Sequence, residues 1–277
     1  MKNAMQLKAF VKKFANDKKI MPQAVLQNYM LERLLERISR SEYKNKFILK
    51  GGMLIAALVG IDIRTTMDMD ATLKNMPLTK QTVADAFNDI FTIKLRDNIT
   101  FKLLEIENTR GDDVYGGYRV SINAIFDTLK VTLKIDLTTG DKITPKEIKY
   151  KFNLLFEDRT IDIRAYNPET VLAEKYETIL RRSVLNTRIR DFYDVYILTN
   201  FPSQNIDKTL LLQAIEATAN KRESMALVKN AKSIIEIIKN DEEMQSRWDL
   251  YQKDFSYAKD ISWNEVIAAI ENIDKIF

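Results

Sequence analysis

The sequence predicts an α+β protein in which N-terminal helices and a mixed or antiparallel sheet domain (1–166) precede an all-helical domain (167–277). Three observations carry this. First, two neighbouring stretches alternate with the period of a strand. Tyr118, Val120, Ile122, Ala124 and Phe126 stand against Arg119, Ser121 and Asn123, and Leu129, Val131, Leu133, Ile135 and Leu137 stand against Lys130, Thr132, Lys134 and Asp136. Such alternation gives a sheet one apolar and one polar face, and Asp127-Thr128 between the two is a hairpin-sized turn. Second, Asn167-Pro168-Glu169 is a strong helix start: an N-cap, a proline at the first helical position and an acid in the first turn. Third, no strand pattern follows Pro168. Helices are predicted at 168–182, 188–199, 206–221, 224–240, 241–258 and 263–276, the last opened by the capping box Ser262-Trp263-Asn264-Glu265.

The earlier elements follow in order. Residues 4–16 and 22–40 read as helices, the second opening on Pro22 and carrying Val25, Leu26, Tyr29, Leu34, Leu35 and Ile38 at helical spacing. Phe47 to Leu49 is a short buried strand running into Gly51-Gly52, and Met53 to Val59 a short buried helix. Met67 to Leu73 is a strand. Leu78-Thr79 opens a helix through about Phe91 with Val83, Ala84, Phe87, Ile90 and Phe91 as its stripe. Ile99 to Ile106 is extended, and Lys149–Phe156 and Thr160–Ala165 form a hairpin across Glu157-Asp158.

Composition narrows the chemistry. The chain has no histidine and no cysteine. That removes imidazole bases, Ser-His-Asp and Cys-His catalysis, disulfides and zinc-thiolate sites. What remains is carboxylates, Lys, Arg, Tyr, hydroxyls and oxygen-bound metal, a set suited to Mg²⁺-dependent phosphate chemistry. The longest apolar run, Met53 to Ile61, is far short of the ~20 residues that span a bilayer. With no signal-peptide pattern at its start, the chain is expected to be cytoplasmic, with no membrane partner. The net charge of +4 is uneven: residues 1–50 carry 12 basic against 4 acidic residues. This segment is either a contact for a polyanion or a solvated lysine-rich helix face.

Two constellations could carry chemistry. On a strand, Asp68 and Asp70 point to the same face, where paired carboxylates can hold a hard divalent cation. Alone the pair is weak, since 22 aspartates would give about two such spacings by chance. Its context is stronger. Gly51-Gly52 sits where backbone N–H groups at a helix start can face an anion, and Asp136 falls on the polar face of a later strand. The second constellation is Lys175, Arg181, Arg182, Arg188, Arg190, Asp191 and Asp194. On one straight helix Lys175 and Asp191 would lie about 24 Å apart. Ser183 to Thr187 contains poor helix formers with capping ability, so a turn is predicted that brings Lys175 toward Asp191 and Asp194. The plainer alternative is a set of surface ion pairs such as Glu177–Arg181 and Arg190–Asp194.

These residues together resemble a known family. Lys50-Gly51-Gly52-Met53, then Arg64-x-Thr66-x-Asp68-x-Asp70, Lys134-Ile135-Asp136, Thr170-x-x-x-Glu174-Lys175 and Arg190-Asp191-x-x-Asp194 look like the AbiEii/AbiGii toxin family of nucleotidyltransferases, the toxin halves of bacterial abortive-infection toxin–antitoxin systems. The resemblance runs from about Phe47 to Leu198, with Met69 where Ile, Leu or Phe is usual.

The resemblance implies a nucleotidyltransferase-type fold and an enzyme that transfers a nucleotidyl group from an NTP, releasing pyrophosphate. Catalysis is expected from Asp68, Asp70, Lys175 and Asp191, and one or two Mg²⁺ ions from Asp68, Asp70 and Asp136. Nucleotide binding is expected from Gly51, Gly52, Arg64, Thr66, Lys175 and Arg182, with Lys134, Arg188, Arg190 and Asp194 in support. Lys175 would offer a point charge to the triphosphate, while Asp191 would orient Lys175 or act as general base. The expected acceptor is RNA, the tRNA acceptor end, with an antitoxin that acts without stable contact and a monomeric toxin. Two readings stay beside this one: nucleotidylation of a protein hydroxyl, and a non-catalytic nucleotide or RNA sensor that keeps the fold.

Overall fold

The computed structural model describes residues 1–109, 116–201 and 205–276. The chain divides into two compact units, Met1–Asp141 with Ile148–Ala165, and Lys142–Glu147 with Tyr166–Phe277.

The first unit is α+β. Its helices are α1 (Ala4–Lys18), α2 (Pro22–Arg40), α3 (Gly51–Val59) and α4 (Lys80–Thr92). Its strands are β1 (Phe47–Lys50), β2 (Asp68–Leu73), β3 (Ile99–Thr109), β4 (Gly117–Phe126), β5 (Leu129–Thr139), β6 (Ile148–Asn153) and β7 (Thr160–Ala165). They form one seven-stranded mixed sheet in the order β3-β4-β5-β2-β1-β7-β6. β2 lies antiparallel to β1 and parallel to β5, and the β4–β5 hairpin is antiparallel. The alternation read from the sequence is the burial pattern of this sheet: Val120, Ile122, Ala124, Leu133, Ile135 and Leu137 are buried.

The second helix is buried on more than its apolar stripe. Gln27 Nε2 donates to the Thr132 carbonyl at 2.9 Å, and Asn28 Nδ2 to the carbonyls of Ala24 and Thr66. Glu32, Arg33, Glu36 and Arg37 are all buried. Arg37 pairs with Asp97 through both Nη atoms at 2.8 Å, and Arg33 reaches Glu157 at 2.6 Å. Burial pushes the Glu32 carboxyl up to about 8, although it accepts from the Leu155 amide. This qualifies the basic N-terminal segment as a polyanion contact. Arg33 and Arg37 are committed inside the unit, whereas Lys8, Lys12 and Lys13 are exposed along α1.

The second unit is helical: α5 (Pro168–Arg182), α6 (Ile189–Asn200), α7 (Lys208–Lys221), α8 (Met225–Lys229), α9 (Ala231–Asn240), α10 (Glu242–Asp254) and α11 (Trp263–Asp274). Asn167 caps α5 through its side chain, as its sequence suggests. Two single predicted helices are broken. Residues 224–240 divide at Asn230, whose ψ of 18° leaves the helical range, and asparagine competes with helix through its own side chain. Residues 241–258 end α10 at Asp254, because Phe255 is extended, and continue as a 3-10 turn over Ser256–Ala258. Ser183, with φ +46°, ends α5 and begins the turn that leads to α6. No helix among the described residues is long and apolar enough to cross a membrane.

Candidate active site

The register of the sheet builds the constellation of the first unit. Asp70 on β2 stands beside Lys50 on β1 and Asp136 on β5, and Asp136 stands beside Arg119 on β4. Cross-strand partners project to the same face. One polar row therefore crosses five strands, Lys50, Asp70, Asp136, Arg119 and Glu107, with Asp68 and Lys134 as the adjacent pair. Met69 and Ala71, in between, are buried on the opposite face.

The glycine pair is explained by what leans on it. Gly51 has φ +65°, and a β-carbon there would collide with the Asp70 carboxylate. The Gly52 amide donates to Asp70 Oδ2 at 3.4 Å, so the anion at the start of α3 in this structure is Asp70 itself. A β-carbon on Gly52 would lie 2.8 Å from Thr66 Oγ1 and 3.1 Å from Arg64 Nη2. Arg64 and Thr66, expected to touch nucleotide, are buried at 2% and 6% exposure. Arg64 donates to the Thr65 carbonyl, and Thr66 Oγ1 to the Asp68 carbonyl at 3.2 Å. These contacts tie the loop before β2 to Gly52 and to the backbone of Thr65 and Asp68.

Asp136 departs from the expected three-carboxylate set. Arg119 donates to it with Nε at 2.7 Å and Nη2 at 2.6 Å, occupying both of its oxygens. Among the described residues no group of three carboxylates is gathered closely enough to hold a metal ion. The pair Asp68 and Asp70 nonetheless suits a divalent cation. Burial, then the charges of Asp70 and Asp136, raise the pKa of Asp68, so negative charge is concentrated there at a cost that a cation would relieve. Two carboxylates, completed by water and substrate phosphate, are a usual Mg²⁺ donor set. Lys134, exposed and opposite Asp68, offsets part of that charge.

Two contributors escaped the sequence reading. Arg119 was visible only as a polar-face residue. Counting equally outward from the turn at Asp127-Thr128 does set it opposite Asp136, so the hairpin register was the available signal. The other is Asp141. Its Oδ2 accepts from Lys50 Nζ at 2.6 Å, from Thr138 Oγ1 at 2.6 Å and from Thr72. Burial would raise this carboxyl, but Lys50 and the hydroxyls outweigh it and hold it at about 2. No periodicity places Asp141, which lies after the end of β5.

In the helical unit, Lys175 on α5 pairs with Asp191 and, at 3.1 Å, with Asp194, both on α6. The two carboxylates are buried at 2% and 0% side-chain exposure, and the Lys175 side chain is 13% exposed. Burial alone would lower the pKa of Lys175. The Asp191 and Asp194 charges outweigh it and the pKa is raised, so the group is a fixed cation near neutral pH. Arg188 Nε lies 3.0 Å from Asp191 Oδ2, an oxygen that accepts no hydrogen bond among the described residues. Arg182 closes α5, half-buried. Arg190 stacks over the Phe255 ring at 5.0 Å from its centroid.

Comparisons with known proteins follow the same direction. The fold is similar to that of a Helicobacter pylori protein described as a candidate nucleotidyltransferase, with a TM-score of 0.52, 14% identity, and 93% of this chain and 95% of that chain covered. It is also similar to JHP933 from Helicobacter pylori, with a TM-score of 0.51, 14% identity, and coverage of 92% and 91%. No curated protein matches in sequence. Residues 33–270 match the family described as "Nucleotidyl transferase AbiEii toxin, Type IV TA system". Spanning both the Asp68/Asp70 strand and the Lys175 helices, that match places the chain in the AbiEii family of nucleotidyl transferase toxins of type IV toxin–antitoxin systems.

Proposed function

We propose that this toxin transfers a nucleotidyl group from a nucleoside triphosphate to RNA, at the tRNA acceptor end, in a Mg²⁺-dependent reaction. The observation that carries the reading is the Asp68/Asp70 pair on one face of β2, with Asp70 seated against the glycine-pair start of α3. Asp68 and Asp70 are the residues that would hold the cation. A divalent cation held by them would supply activation of an attacking hydroxyl and charge compensation for the leaving pyrophosphate.

The remaining roles belong to the protein's own groups. Gly51 and Gly52 leave room for the Asp70 carboxylate and the Thr66 hydroxyl against the start of α3. Arg64 and Thr66 hold that backbone against β2. Lys175 offers a permanent positive charge to a substrate phosphate, and Asp191 keeps it oriented through one oxygen while Arg188 lies 3.0 Å from the other. Exposed lysines of α1, Lys8, Lys12 and Lys13, are proposed contacts for the RNA backbone.

The test is incubation with each labelled NTP, Mg²⁺ and total tRNA. Label on the 3′ end of tRNA, lost in Asp68→Ala, is the expected result. Label on protein alone would replace the RNA acceptor with a protein hydroxyl. No label anywhere, with growth arrest unchanged in Asp68→Ala and Lys175→Ala, would remove the catalytic reading of this site.

A further inference from the structure

The Arg119–Asp136 pair is not explained by stability or by a three-carboxylate metal site. It lies on the polar sheet face, with Arg119 42% and Asp136 24% exposed, where a lone ion pair adds little to folding. Its geometry is nevertheless specific. Nε and Nη2 bind the two carboxylate oxygens in parallel, which fixes the plane of the guanidinium. Nη1 has no protein partner among the described residues and keeps two N–H donors available. The strand beneath is continuous, paired with β3, whose exposed Glu107 stands beside Arg119, and with β5 on the other side. Arg119 is also close enough to Asp68 and Asp70 for their charges to favour its protonated form, after the larger effect of Asp136.

A planar cation oriented by one carboxylate, exposed on one edge and beside a carboxylate pair, is the arrangement that binds phosphate oxygens. A lysine would not be fixed in this way, because its ammonium is a point charge on a flexible stem. We propose that Arg119 binds a phosphate of the nucleoside triphosphate, with Asp136 as its positioning residue acting through Arg119 and not as a cation ligand. The proposal rests on the reading that Asp68 and Asp70 serve a triphosphate substrate.

The test separates phosphate binding from metal binding and from transfer. Calorimetry of inorganic tripolyphosphate in EDTA is run on the full chain and on Arg119→Gln, Arg119→Lys and Asp136→Asn, each checked for fold by circular dichroism. Mn²⁺ binding without nucleotide is followed by electron paramagnetic resonance. Arg119→Gln is expected to weaken tripolyphosphate about tenfold, with Arg119→Lys and Asp136→Asn in between, the size of losing one or two charge-assisted hydrogen bonds. Mn²⁺ affinity should stay within about twofold in Asp136→Asn and be lost in Asp68→Ala, as expected if only the latter is a ligand. With NTP as substrate, Arg119→Gln should raise KM more than it lowers kcat. Loss of Mn²⁺ from Asp136→Asn would make Asp136 a ligand and overturn the proposal. So would unchanged tripolyphosphate binding in both Arg119 variants, or none by the wild-type chain. Absence of RNA labelling with the tripolyphosphate pattern intact would instead strike the transfer reading alone.

Discussion

Replacing Gly51 with alanine strikes two features of the site at once, and a second glycine allows them to be separated. At φ +65° an alanine costs ~1–2 kcal/mol in backbone conformation. Its β-carbon also enters the volume of the Asp70 carboxylate, an overpacking term of ~1–3 kcal/mol unless Asp70 moves. Gly116 has nearly the same backbone, φ +62°, but among the described residues nothing lies within 4 Å of a β-carbon placed there. Gly116→Ala should therefore lose only the ~1–2 kcal/mol conformational part. The difference between the variants isolates the collision with Asp70. Far-UV circular dichroism during urea unfolding is the suitable assay, because both tryptophans, Trp248 and Trp263, belong to the helical unit and would report on the wrong part of the chain. Mn²⁺ binding completes the comparison: Gly51→Ala should bind at least about tenfold more weakly, since relief of the clash displaces a ligand, and Gly116→Ala should bind as wild type. Equal destabilisation of the two, or wild-type Mn²⁺ affinity in Gly51→Ala, would refute the claim that the glycine exists to seat Asp70.

Three further outcomes are expected. The raised carboxyl of Glu32 keeps its proton in the folded chain where the unfolded chain has lost it, so stability falls as pH rises from about 4.5 to about 8. Glu32→Gln removes that loss, and thermal melts should show a stability gain that grows across this window to a few kcal/mol; a gain independent of pH would contradict it. Lys175→Met takes the ammonium away from the buried Asp191 and Asp194 and leaves Arg188 beside Asp191; it should cost ~3–5 kcal/mol in urea unfolding, whereas Asp191→Asn keeps the Lys175–Asp194 pair and should cost far less while lowering transfer at least ~100-fold. Full activity in Asp191→Asn would remove Asp191 from the chemistry. Finally, Asp68 titrates above the ordinary 3.8 because of burial and then Asp70 and Asp136, so Mn²⁺ affinity should fall with acid from a pH above that value. Asp136→Asn removes one of those charges and should move the fall to lower pH; an unmoved or raised midpoint would count against this account.

Much of the fold is local and was legible. The β4–β5 hairpin follows from a two-residue turn between two alternating stretches, and α5 from Asn167-Pro168-Glu169, because backbone propensity and side-chain period act within a few residues. The same local rules put Asp68 and Asp70 on one face and predicted the break between α5 and α6 that brings Lys175 to Asp191. Where propensity is marginal, they failed: one asparagine divides α8 from α9, and one extended phenylalanine ends α10.

What the amino-acid order determined by itself is the kind of chemistry available, through the absence of His and Cys, and the strand that carries the acid pair. Only the tertiary structure decided how each charge is used. The order of strands in the sheet is a nonlocal choice, and it set Asp136 between Asp70 and Arg119, so that a carboxylate with the spacing of a metal ligand became the partner of a guanidinium. Burial likewise set Arg64 and Thr66 against Gly52 and confined Arg33 and Arg37 to the interior. Charge is a property of the residue. Its partner and its solvent exposure are properties of the fold, and those decide whether the charge binds a cation, a phosphate or its own chain.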